Sequence, residues 1–109
     1  MDAPVLYLVK FWVSPEGHRP LMDWLEGGHN AEVLAQPGFK FFQRVKLEQD
    51  AEDGWLAYAM IYGVESREAL EAYFNNAALA AKFAAERAPF AQHLRMDRAW
   101  GRVERTLSR

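Results

Sequence analysis

The stretch Trp24-Leu-Glu-Gly-Gly-His-Asn-Ala-Glu-Val-Leu-Ala-Gln-Pro-Gly-Phe39 holds the end of a helix, a turn and the start of an aromatic strand. Leu21, Trp24, Leu25 and Gly28 recur at helical spacing and form an apolar stripe for one sheet face. Gly27-Gly28 weaken that helix by about 1 kcal/mol each relative to alanine, so a kink or frayed turn is expected just before His29. The helical pattern resumes through Val33-Leu34. It stops at Gln36, because a proline disfavours a helical residue before it. Pro37-Gly38 make the turn, and Phe39-Lys-Phe-Phe42 opens a strand.

Upstream, residues 5–14 read as a strand of β-branched and aromatic residues, apolar at odd positions (Val5, Tyr7, Val9, Phe11, Val13) and, apart from Lys10, at even ones. Such a strand has both faces covered. Ser14-Pro15 ends it and opens the helix, with Ser14 as a candidate cap. Downstream, residues 39–49 form a second strand, with Phe39, Phe41, Val45 and Leu47 on one parity and Lys40, Arg44, Lys46 and Glu48 on the other. This is the pattern of a one-sided or charge-protected edge strand. The loop 50–54 ends on glycine. Residues 55–64 are again apolar on both parities. Ser66 caps a second helix with the stripe Leu70, Tyr73, Phe74 and Ala77, and Asn75-Asn76 cap a further alanine-rich set of turns, 77–87, closed before Pro89. Residues 95–107 form the last strand, mixed and charged around Met96, Trp100 and Val103.

The order is β-α-β-β-α-β. Two strands apolar on both faces and two charged ones match a ferredoxin-like sheet, in which strands 1 and 3 are central and 2 and 4 are edges. The expected class is α+β: a four-stranded antiparallel sheet with helices on one face. Two helices cover only one face of such a sheet. A second copy of the chain is the simplest cover for the other, and a homodimer is expected.

With 109 residues the chain is expected to be one domain, spanning 1–109. A net charge of −2 argues against a nucleic-acid partner, which needs a concentrated positive field. The absence of cysteine excludes disulfides, thiolate nucleophiles and sulfur-ligated metals. Asp2 stands where a leader peptide would be basic, Lys10 interrupts the first apolar run, and no stretch is long enough to span a bilayer. The expectation is a cytoplasmic protein without a membrane partner.

Leu6-Tyr7, Trp24-Leu25, His29, Glu32-Val33-Leu34, Pro37-Gly38-Phe39 and Glu65-Ser-Arg-Glu-Ala-Leu-Glu-Ala-Tyr73 resemble an uncharacterised bacterial family within the dimeric α+β-barrel superfamily. That superfamily includes antibiotic-biosynthesis monooxygenases, the ethyl tert-butyl ether degradation family, polyketide cyclases and muconolactone isomerases. Relatives show His-Ile-Pro-Glu at the helix break, where this chain has His29-Asn30-Ala31-Glu32. The resemblance implies a dimeric α+β barrel binding a small aromatic or polyketide-like compound and transforming it without a cofactor. The alternative is a non-catalytic dimeric binding or interaction domain.

His29 is the candidate catalytic residue, as general acid/base or hydrogen-bond anchor. The plainer reading is a histidine capping backbone freed by the two glycines. After two glycines, few packing contacts are expected to depend on the imidazole. Trp12, Trp24, Phe41, Tyr58 and Tyr62 are the candidate ligand-binding residues, since such clefts are mainly apolar with few polar anchors. Trp100 is a further aromatic of this kind. The plainer reading for all of them is core or dimer interface. Glu26-x-x-His29 has the spacing of a metal half-site but lacks further ligands, so no metal is expected.

Overall fold

The computed structural model describes residues 3–109; Asp2, used above against a leader peptide, lies outside them. Strand β1 (Val5–Val13) is followed by α1 (His18–Trp24), a π-turn (Leu25–His29), α2 (Asn30–Leu34), β2 (Phe39–Lys46) and β3 (Leu56–Val64). Then come α3 (Arg67–Phe74), α4 (Ala77–Arg87), a 3-10 turn (Ala88–His93) and β4 (Leu94–Arg102). The sheet is antiparallel throughout, in the order β2-β3-β1-β4. The two strands apolar on both faces are central, as their patterning requires.

Tyr7 lies opposite Tyr62 on β3 and Trp100 on β4, and Phe11 lies opposite Tyr58 and Met96. One parity of each strand therefore shares the helix-covered face. Val5, Tyr7, Val9, Phe11 and Val13 are all buried there with Tyr58, Met60, Tyr62 and Val64, and the helices add Leu21, Leu25, Val33, Leu70 and Phe83. Fully burying one such aliphatic or aromatic side chain stabilises the fold by roughly 1.5–3 kcal/mol.

Strand β2 departs from its sequence reading. The register steps from Phe39↔Val64 directly to Phe41↔Gly63, leaving Lys40 as an extra residue in a bulge. The bulge reverses the parity: Phe39 and Phe42 pack toward the helices around Tyr62, and Phe41 turns to the opposite face. There its ring occupies the space a side chain at position 63 would need; a Cβ on Gly63 would sit 2.0 Å from Cε2 of Phe41.

Ser66 accepts a hydrogen bond from the Ala69 N–H (3.1 Å) and Asn76 one from Leu79 (3.1 Å), so both expected caps form. Ser14 closes a different turn. Its Oγ accepts from the Gly17 N–H at 3.0 Å and contacts His93 Nδ1 at 2.7 Å, and α1 starts only after it. Strands β2 and β4 end at Lys46 and Arg102, short of the expected 49 and 107. The face without helices carries Leu8, 39% exposed, Val45, 41% exposed, and half-buried Leu6, Trp12 and Ile61. Among the described residues, no helix is long and apolar enough to cross a membrane.

Candidate functional site

The double glycine does what its sequence position suggests. At Gly28 the backbone turns to φ +152°, a conformation that L side chains rarely adopt, and the helix widens so that the Asn30 N–H donates to the Leu25 carbonyl. The widened turn swings His29 inward over α4. Its ring stacks on Trp24 (centroids 4.0 Å, 20° between planes) and meets Phe83 edge-on at 4.5 Å. The imidazole is thus held by aromatic packing, contrary to the loose setting expected from the sequence. Trp24 is itself fixed, its indole N–H donating to Glu86 Oε1 at 3.1 Å.

Nδ1 of His29 is buried and has no hydrogen-bond partner among the described residues. Burial is the main force lowering the His29 pKa to about 4, aided by the Arg87 charge and opposed by Glu86 and Glu32. At neutral pH the ring is uncharged. It neither caps backbone nor pairs with a carboxylate: Glu26, its partner in the metal half-site spacing, points to Arg44 at 2.6 Å. Among the described residues, no three metal-ligating side chains come together.

His29 lines a cavity of about 40 Å³ between helices and sheet, walled by Trp24, Phe83 and Met60, with Tyr7, Tyr62 and Tyr73 from three different elements. Arg87 from α4 and Arg98 from β4 also line it, and both reappear in an adjoining chamber of about 120 Å³ with Tyr73, Phe74, Ala80 and Phe83. The smaller space holds little more than a water; the larger approaches the size at which an apolar cavity accepts a benzene ring, about 150 Å³. Tyr62 is tied down by Asn30, whose Nδ2 donates to its hydroxyl at 2.8 Å, and burial raises its pKa well above the ordinary value. Burial also pushes the Tyr73 pKa up to about 12 and raises that of Tyr7. All three phenols are therefore protonated at neutral pH.

Of the residues singled out from the sequence, His29, Trp24 and Tyr62 meet at this cavity. Tyr58 is on the same sheet face but at its far end, stacked on Phe11 and 2.8 Å from His18 Nε2. Trp12 and Phe41 lie on the helix-free face, Trp12 under the Lys10 ammonium at 4.9 Å, and the sheet separates them from the cavity. Trp100 is 52% exposed and packs on Phe74 at 4.9 Å. Sequence reasoning missed Tyr7, Tyr73, Arg87 and Arg98. The last had a signal: Leu94, Met96, Arg98 and Trp100 alternate on one face, which sets an arginine into an apolar row.

Residues 4–96 match the domain of unknown function DUF4286. The chain belongs to that family. No curated protein matches this chain in sequence. Solved structures share its fold. The haem degrader MhuD of Mycobacterium tuberculosis superposes with a TM-score of 0.68 at 21% identity, over 96% of this chain and 100% of the other. SnoaB of Streptomyces nogalater, a cofactor-independent oxygenase, gives 0.64 at 14% identity, over 98% and 100%. A dimeric ferredoxin-like protein from an uncultured marine organism gives 0.69 at 13%, over 94% and 97%. At these identities the likeness establishes the fold of this DUF4286 chain alone: ferredoxin-like α+β.

Proposed function

We propose that this DUF4286 protein binds a small aromatic or polyketide-like compound in the cleft beside His29. The observation that carries the reading is the buried, unpartnered Nδ1 of His29 on a cavity walled mainly by apolar and aromatic side chains. A buried polar atom without a partner costs roughly 1–3 kcal/mol, a cost that a ligand hydroxyl would remove. The cofactor-independent oxygenase among its structural neighbours supports a cofactor-free oxygenase, cyclase or isomerase reaction, with His29 accepting a proton from the bound compound. The low His29 pKa favours the second reading, a binding domain without turnover, because so weak a base gains little in proton transfer near pH 7.

A homodimer formed through the helix-free face belongs to the same proposal. Leu8 and Val45 stand exposed there beside Leu6, Trp12 and Ile61, and one neighbour in fold is dimeric. Melting with a panel of phenols and polyketide fragments tests the cleft. A true ligand at 100 times its Kd adds roughly 2.7 kcal/mol. If a broad panel leaves the melt unchanged, the proposal fails. Aerobic incubation with the hits, followed by mass spectrometry, separates turnover from binding alone.

A further inference from the structure

Several cations that join different elements of the fold face carboxylates: Lys40 with Glu65, Arg44 with Glu26, Lys82 with Glu32, Arg95 with Asp53. Arg87 and Arg98 have no carboxylate partner among the described residues, yet they share two cavity walls. An arginine in the last turn of α4 is favoured by the helix dipole, which accounts for Arg87 but not for a second guanidinium beside it. The two repel, and Arg87 is half-buried. Burial and the charge of Arg98 both lower its pKa, a combination that weighs against the pair. Tyr7 and Tyr73 bring two more donors, and neither hydroxyl makes a hydrogen bond to another described residue. Their rings lie 6.1 Å apart. Donors are gathered here without a carboxylate.

We propose that the chamber between α4 and β4 takes an aromatic carboxylate, its anionic head on Arg87 and Arg98 and its ring against Phe74 and Phe83 toward His29. This deepens the cleft reading above and rests on it. A guanidinium presents paired N–H groups that match a carboxylate's two oxygens, and the tyrosine hydroxyls donate to the same head. The chamber of about 120 Å³ limits the body to roughly one ring.

The test is an NMR titration of the intact protein with benzoate, benzamide and acetate at low ionic strength. Benzoate is expected to bind at least about tenfold tighter than benzamide, as a charge-assisted contact requires, and to outcompete acetate. Arg98→Met, which keeps the apolar stem, is expected to abolish the preference for benzoate while benzamide binding persists. Because the benzoate-to-benzamide ratio is first measured in the unaltered protein, the test does not depend on the variant folding. Benzamide binding as tightly as benzoate overturns the anion site and leaves the cleft. Acetate matching benzoate overturns the aromatic part. If neither aromatic compound perturbs resonances of the cleft, both the anion site and the cleft reading fall.

Discussion

At the scale of single residues, His29 carries two consequences. The folded protein resists protonating it until about pH 4, whereas the unfolded chain takes up the proton near the ordinary value of 6.5. Between those values the unfolded state binds more protons, so His29 removes stability as pH falls from 6.5 toward 4 and has no such effect above 6.5. The groups facing it are Glu86, Glu32, Lys82 and Arg87, with the rings of Trp24 and Phe83. Chemical denaturation at a series of pH values should show a shallower loss over this window in His29→Phe than in the unaltered protein. Equal slopes would place the histidine in solvent. His29→Ala, by contrast, removes aromatic packing and should cost about 1–2 kcal/mol at neutral pH. Tyr62→Phe leaves the Asn30 amide with only the Met60 sulfur as acceptor, at 3.4 Å, and should cost about 1–2 kcal/mol, read from the urea midpoint at constant slope.

At the scale of elements, the two neighbouring glycines are not equivalent. Gly28 holds φ +152°, while Gly27 has an ordinary negative φ and open space where a Cβ would go. Gly28→Ala should destabilise by about 1–3 kcal/mol and displace His29 from Trp24. Gly27→Ala should be neutral or stabilising by up to about 1 kcal/mol. Thermal melts of the pair check this, and equal effects would remove the kink from the account. The break was legible because two adjacent glycines have no better use inside an amphipathic helix. The bulge at Lys40 was not. Phe39, Phe41 and Phe42 are apolar on both parities, so alternation alone gives no sign of an extra residue, and it groups Phe41 with Phe39 where the bulge puts them on opposite faces. The caps at Ser66 and Asn76 were legible for a local reason: their hydroxyl and amide oxygens need only a backbone N–H three residues on.

At the scale of the whole molecule, strand order followed from patterning, since only central strands tolerate apolar residues on both faces. The cleft was less legible. Tyr7, Tyr73, Arg87 and Arg98 come from four different elements and meet only in the folded chain. The helix-free face gives a prediction at this scale. Sedimentation at micromolar concentration should show about 25 kDa, twice the 12.5 kDa chain, and Leu8→Asp should shift it toward the monomer. A clean monomer in the unaltered protein would contradict the dimer. The central claim, that the buried nitrogen of His29 is completed by a ligand, is tested most directly by imidazole 15N NMR during titration with a compound that stabilises the protein. The Nδ1 resonance of His29 is expected to move in step with saturation, while His18 and His93, already partnered by Tyr58 and Ser14, stay in place. A ligand that saturates the protein and leaves the His29 resonance where it was would contradict the account.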